Sequence, residues 1–213
     1  MADPHKRLDA NILGNFYVDA TCINCDACRQ LAPASFEEVG DYSAVLHQPA
    51  DEREIRSAYR ALLACPTGSI GTEQGDNAVL QAAKADFPLL VEDDVYYCGF
   101  NSEKSFGANS FFVRHPEGNW LIDSPRYLKP LVEAFDRIGG IAHIFLTHED
   151  DVADAARYAQ RFGARRIIHR ADAHAMPGAE EIVDGIEQIS YRPEFRIIPV
   201  PGHTAGSLCL LYR

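Results

Sequence analysis

The stretch Cys22-Ile23-Asn24-Cys25-Asp26-Ala27-Cys28 places thiols at i, i+3 and i+6, and Cys65-Pro66 supplies a fourth further along. Three thiolates at this spacing, with a remote Cys-Pro, form the ligand pattern of a single iron–sulfur cluster. A short loop wrapped round a cubane aims three sulfurs at three irons, so the fourth has to arrive from elsewhere in the fold. Pro66 ends local hydrogen bonding and keeps the chain off the cluster. Ordinary buried thiols and a zinc knuckle are the competing readings, but zinc sites favour two separated cysteine pairs over a run of three. Cys rather than Asp at position 25 favours a four-iron cluster over a three-iron one.

The chain of 213 residues has room for one large domain or two small ones. Its hydrophobic content of 46% and charged content of 24% are ordinary for a globular chain with a real core. A net charge of −11 argues against nucleic acid or an anionic membrane surface as partner. No apolar run approaches the ~20 residues needed to cross a bilayer, and the opening Met-Ala-Asp-Pro-His-Lys-Arg lacks the apolar segment of a secretory signal. Cys98 and Cys209, outside the cluster set, read as small core residues. Free thiols together with a cluster point to a reducing, cytoplasmic compartment.

Residues 1–72 read as one compact unit. Phe16 to Asp19 forms a short strand leading into the Cys loop, and Ser43 to Leu46 a second strand reached through Gly40-Asp41. Asp51 with Glu54 three positions on is a capping box. Ile55, Ala58, Tyr59, Leu62 and Leu63 follow at helical spacing, so this helix delivers Cys65. The order Cys-x-x-Cys-x-x-Cys, then Ala32-Pro33, Phe36-Glu37 and Cys65-Pro66-Thr67-Gly68-Ser69-Ile70, resembles a single-cluster bacterial ferredoxin. The resemblance covers nearly the whole unit. It implies a one-electron carrier with a low-potential [4Fe-4S] centre held by Cys22, Cys25, Cys28 and Cys65.

Residues 73–86 lack a strand pattern and read as a linker, in part helical. From Phe87 onward strands alternate with helices. Asn109 to Val113 and Asn119 to Asp123 flank a polar turn and read as a hairpin. Ser124-Pro125 reads as a helix start, with Leu128, Leu131, Val132 and Phe135 on one face and Gly139-Gly140 as the stop. Ile141 to Leu146 is an apolar run suited to a strand buried on both faces. A helix over Val152 to Phe162 and strands over Arg165 to His169, Phe195 to Val200 and Ser207 to Tyr212 follow.

Two of these strands end in potential ligands. One runs into Thr147-His148-Glu149-Asp150-Asp151, the other into Pro201-Gly202-His203-Thr204-Ala205-Gly206-Ser207. Loops at the ends of neighbouring strands can converge on one metal with the sheet as a rigid mount. With Gly107 to Asn109 and Trp120 to Ser124, these stretches resemble the metallo-β-lactamase superfamily from about Phe87 to the last residue. The resemblance implies an αββα sandwich whose one- or two-metal site activates water for hydrolysis.

The departures concern that family's first ligand segment, Thr-His-x-His-x-Asp-His. Here Asp150 replaces the second His, and Ala153 or, with two residues inserted, Ala155 falls at the last. The first site then consists of His148, Asp150 and His203, a set that suits zinc and also non-haem iron. Asp154 takes the family's Asp position only in the second register. Asp151 and Asp154 otherwise suit a first helical turn. His143 and His169 read as core or edge residues, and His115 as a turn residue.

The expected fold class is α+β: a small ferredoxin-like domain at 1–72, a linker at 73–86 and a partial metallo-β-lactamase-like sandwich at 87–213. The 127 residues from Phe87 to Arg213 are half to two-thirds of that family's usual length, and an unpaired final strand would leave a sheet edge prone to homodimer formation. Three functions fit. The first is a metal-dependent hydrolase carrying an iron–sulfur domain. The second is a redox enzyme passing electrons from the cluster to a non-haem iron, as the carboxylate at position 150 resembles the flavodiiron branch. The third is a non-catalytic electron carrier. The matching partners are a redox protein or a small-molecule substrate.

Overall fold

The computed structural model describes residues 2–213, whose contacts divide into two units. The first runs to Leu89 and also takes in Gly99–Asn109; the second comprises Leu90–Cys98 and Ser110–Arg213.

In the first unit, β1 (Phe16–Val18) leads to the cysteine loop and the short helix α1 (Ala27–Leu31), followed by the hairpin β2 (Phe36–Val39) and β3 (Tyr42–Val45). Next come α2 (Glu52–Ala64), β4 (Ile70–Thr72), which pairs antiparallel with β1, and α3 (Asn77–Ala85). The capping box opens α2: Asp51 accepts from the Glu54 backbone N–H at 2.8 Å, while the Glu54 carboxylate accepts from that of Ala50. Behind this cap, Ala58, Tyr59, Ala61 and Ala64 are buried, and Tyr59 meets Phe16 edge to face at 5.2 Å. Small alanines let neighbouring elements approach α2 closely.

Residues 73–86, expected as a linker, are built into this unit. Asp76 caps α3 by accepting from the Ala78 and Val79 N–H groups, and its own N–H donates to the Tyr59 hydroxyl at 2.6 Å. At the far end Asp86 receives hydrogen bonds from both Arg56 and Arg60 of α2. Val79, Leu80 and Ala83 join the same apolar cluster as Phe16, Phe36 and Tyr59.

The second unit begins at Leu90, inside β5 (Leu89–Glu92), and continues with β6 (Val95–Tyr97), β7 (Phe111–Val113) and β8 (Trp120–Ile122), followed by α4 (Lys129–Arg137), β9 (His143–Phe145), α5 (Ala155–Phe162), β10 (Arg165–His169) and β11 (Glu181–Val183). Among the described residues these strands form one mixed sheet in the order β11-β10-β9-β8-β7-β6-β5, parallel from β8 to β11 and antiparallel from β6 to β8. A second, antiparallel sheet holds β12 (Ile189–Ser190), β13 (Phe195–Pro199) and β14 (Leu208–Tyr212).

Alternation along the strands sorts side chains into two layers. Val113, Trp120, Phe145 and Ile167 meet Phe195, Ile197 and Leu208 of the second sheet, with Trp120 stacked on Phe195 at 4.4 Å. On the opposite face Phe112 stacks on Phe135 of α4 at 5.0 Å, and Phe135 meets Tyr158 of α5. Helices, mixed sheet and second sheet thus form successive layers, three of the four in the αββα sandwich expected from the sequence. The helix expected from Ser124-Pro125 starts instead at Lys129, with Pro130 in its first turn. Gly163 at φ +66° closes α5, a left-handed position that suits a residue without Cβ. Cys98 is buried as expected, whereas Cys209 is exposed on β14.

At the sheet margin Arg166 on β10 grips Glu180 through two guanidinium nitrogens, at 3.0 and 2.7 Å. That hydrogen bonding holds the Glu180 carboxyl down at about 2, against a smaller upward push from burial. A folded-state value below the ordinary 4.5 stabilises the unit above 4.5, and this contribution is lost as the pH falls towards 2. Because the Glu180 side chain is 41% exposed, solvent screening limits the contribution to about 1 kcal/mol. Thermal unfolding across this acid window should show a shallower decline in Glu180→Gln than in the parent protein.

Candidate cluster and metal sites

Cys22, Cys25, Cys28 and Cys65 line a common cavity in the first unit, together with Ile23, Ala27, Thr67 and Ser69. The cysteine loop curls because Asn24 and Asp26 adopt positive φ, +54° and +70°, conformations these short polar side chains tolerate better than most. Arg29 fastens the loop: Nε donates to Asp26 at 2.7 Å, and one terminal nitrogen donates to Asn24 Oδ1 at 2.6 Å and to Ser43 Oγ at 2.5 Å. Cys65 sits at the C-terminal cap of α2, so the helix axis and the turn after it fix its position.

Backbone N–H groups already point at two of the sulfurs. Asn24 and Ser43 donate to Cys22 Sγ at 3.4 and 3.5 Å, and Ser69 donates to Cys65 Sγ at 3.3 Å. Such donors stabilise thiolates and ligated sulfide clusters alike. Burial, reinforced by the other cysteines, raises the Cys25 thiol and pushes Cys28 up to about 12. The bare Cys25 and Cys28 thiols resist ionisation here, and a cationic core beside them would offset the cost of burying their charge. Convergent sulfurs, N–H donors and enclosure therefore fit a cysteine-ligated iron–sulfur group.

Gly99–Asn109 adds a further wall to the first unit. A Cβ on Gly107 (φ +84°) would stand 2.8 Å from Cys25 Cβ and 2.9 Å from Pro66 Cγ, so only glycine permits this approach. Arg29 carries no spacing signal, and Gly107, read from the sequence with the metallo-β-lactamase-like part at 87–213, packs instead in the first unit.

In the second unit, His148, Asp150 and His203 bring one ligand atom each within 4.8 Å of one another. His148 follows β9 in extended conformation, and Asp150 lies in the 3-10 turn Glu149–Asp151. His203 sits in the turn between β13 and β14. His203 Nε2 lies 2.8 Å from Asp150 Oδ2, and His148 Nε2 lies 3.7 Å from the same oxygen. Two imidazoles and a carboxylate at this separation fit a single metal with an open coordination position.

Asp154 does not join them. Its carboxylate accepts from the Tyr127 backbone N–H at 2.9 Å and faces Arg157, so its charge is engaged at the start of α5. Ala155, at the family's last His position in the inserted register, is the buried first residue of α5 and offers no ligand atom.

Behind the triad, Thr147 accepts and relays. Its hydroxyl lies 3.0 Å from both Asp123 carboxylate oxygens and 2.9 Å from His148 Nδ1, and its N–H donates to Asp123 at 2.8 Å. With the hydroxyl donating to Asp123, His148 Nδ1–H donates to Thr147, leaving the Nε2 lone pair for a ligand. Burial, then the nearby Asp151 carboxylate, pushes Asp123 up to about 8 against these hydrogen bonds.

Asp172, in the 3-10 segment after β10, ties the two ligand loops together. Oδ1 accepts from the Gly206 N–H at 3.1 Å, while Oδ2 accepts from the Thr204 hydroxyl at 2.6 Å and the Glu149 N–H at 3.2 Å. Gly206 leaves room for this carboxylate, since a Cβ there would fall 2.5 Å from Asp172 Cγ. A lone Asp after a strand has no sequence signature for such a role.

Residues 18–72 match the family described as the 4Fe-4S single cluster domain of Ferredoxin I. A hydroxyacylglutathione hydrolase of Rhizobium etli is 34% identical over 125 residues, covering 56% of this chain and 46% of that protein. One from Acidiphilium cryptum is 32% identical over 107 residues, covering 48% and 44%. Among solved structures, a motif mutant of a metallo-β-lactamase from Cronobacter sakazakii superposes with a TM-score of 0.47 and 20% identity, covering 58% of each chain. The chain thus spans about half the length of the curated relatives it matches. No helix among the described residues is long and apolar enough to cross a membrane. Residues 18–72 thus match a single-cluster ferredoxin domain, and part of the chain is similar in sequence to about half of a hydroxyacylglutathione hydrolase.

Proposed function

We propose that this chain joins a one-electron carrier to a metal-dependent hydrolase. Cys22, Cys25, Cys28 and Cys65 hold one [4Fe-4S] cluster, and His148, Asp150 and His203 hold one zinc ion. The observation that carries the hydrolase half is the meeting of three ligand atoms within 4.8 Å at the ends of two strands. The substrate class follows from the relatives' names: a hydroxyacylglutathione, cleaved at its acyl–sulfur bond. A zinc ion so held supplies Lewis acidity and a bound water that ionises near neutral pH.

The chain's own groups prepare that chemistry. Thr147 and Asp123 set the His148 ring with Nε2 outward. Asp172 fixes the loop bearing His203 against the loop bearing Asp150. The 69% exposure of the His203 side chain leaves that side accessible to a substrate. Ala155 in place of a His supports one metal rather than two.

Metal content after anaerobic purification tests the proposal, with about four irons and about one zinc expected per chain. His203→Ala should lose the zinc, keep the iron and release thiol from hydroxyacylglutathione at least about a hundredfold more slowly. Zinc absent and a further iron in its place would overturn the hydrolase reading in favour of the redox enzyme. Cluster iron alone would reduce the chain to a carrier.

A further inference from the structure

We infer that Gly99–Asn109 is a shield that closes the Cys25 side of the cluster site against water and oxygen. The inference rests on the cluster assignment proposed above. This segment lies between β6 and β7 of the second unit in sequence, yet it packs as part of the first. Its fastenings lie next to the cluster ligands. Asn101 N–H donates to the carbonyl of Ala64, the residue before Cys65, and Asn109 Nδ2 donates to Gln30 on α1, the helix that carries Cys28.

Inside the segment Asn101 is fully buried. Its Nδ2 donates to the Gly107 carbonyl at 2.8 Å and to Asn109 Oδ1 at 2.9 Å. That grip presents Gly107 flat against Cys25 and Pro66, where any side chain would push the strap outward. Ser105, 2% exposed, has a hydroxyl with no partner among the described residues, so the strap also encloses a polar group that open water would otherwise satisfy.

The shield has an electrical consequence. Reduction adds a negative charge to an anionic cluster, and water stabilises that charge better than packed protein does. A closed strap therefore lowers the reduction potential, and an opened one raises it. Oxygen reaches an exposed cluster faster by the same route.

Gly107→Val and Asn101→Ala, purified anaerobically as full chains, test this. The first adds bulk against Cys25; the second removes two hydrogen bonds without adding any. Both should bind iron like the parent, bleach severalfold faster in air and show a less negative midpoint in dithionite titrations followed by electron paramagnetic resonance. If Gly107→Val fails to assemble, Asn101→Ala decides alone. Parent-like bleaching and midpoint in an iron-loaded variant would overturn the shield while leaving the cluster assignment intact. A parent protein without iron or visible absorbance would overturn both.

Discussion

Cys25→Ala protein is expected to emerge from anaerobic purification colourless and poor in iron, with the first unit cut readily by protease and the second intact. The first unit's apolar cluster is modest, and Cys28 and Cys65 belong to it. Removing one ligand leaves three buried thiols around an incomplete site and withdraws the metal's contribution to folding. In small metal-dependent domains that contribution reaches about 10 kcal/mol, comparable with the whole stability of a typical domain. The second unit should persist because Trp120, Phe145, Phe195 and their neighbours form a separate core. Unchanged visible absorbance in this variant would mean that the ligand set is wrong.

Asp172→Ala is expected to carry the largest effect in the second unit. The residue is 2% exposed and accepts three hydrogen bonds, from Gly206, Thr204 and Glu149. Its loss leaves those partly or fully buried donors without their acceptor, at a cost of roughly 3 kcal/mol. Loosened loops should also weaken zinc binding at His148, Asp150 and His203 by about 10- to 100-fold. Asp172→Asn keeps one acceptor oxygen and should fall between the two. Denaturant unfolding followed in the second unit, alongside calorimetric zinc titration, measures both effects. A variant with parent-like stability and parent-like zinc affinity would remove Asp172 from the design of the site.

The sequence revealed the features that chemistry or periodicity forces into regular spacing. The Cys-x-x-Cys-x-x-Cys run and Cys65-Pro66 stand out because one loop has to serve several irons, and the structure gathers all four onto one cavity. Ile141 to Leu146 stands out because β9 is covered on both faces, and Asp51 with Glu54 because a helix start needs acceptors. Other features were hidden by local ambiguity. Ser124-Pro125 has the chemistry of a helix start, but the Ser124 hydroxyl donates to the Pro125 carbonyl and the helix waits until Lys129. Glu37 and Glu38 interrupt the apolar pattern of β2, whose pairing with β3 is carried by the backbone. The run 73–86 looked like a spacer because its helix fully buries only Ala83, while Val79 and Leu80 pack against the cluster in part. Asp172 and Gly107 act across long sequence separations, and Arg29 works mainly within its own loop at positions that carry no motif.

The borrowed segment Gly99–Asn109 also imposes an order of events on the ribosome. Cys65, the last of the four thiols, is synthesised well before Asn109, and at about 5–20 residues per second that gap lasts several seconds. A newborn chain therefore presents a four-cysteine pocket whose final wall has yet to be made. A cluster inserted before the chain is complete would meet a pocket still open on the Cys25 side, and the later arrival of Gly99–Asn109 would close it.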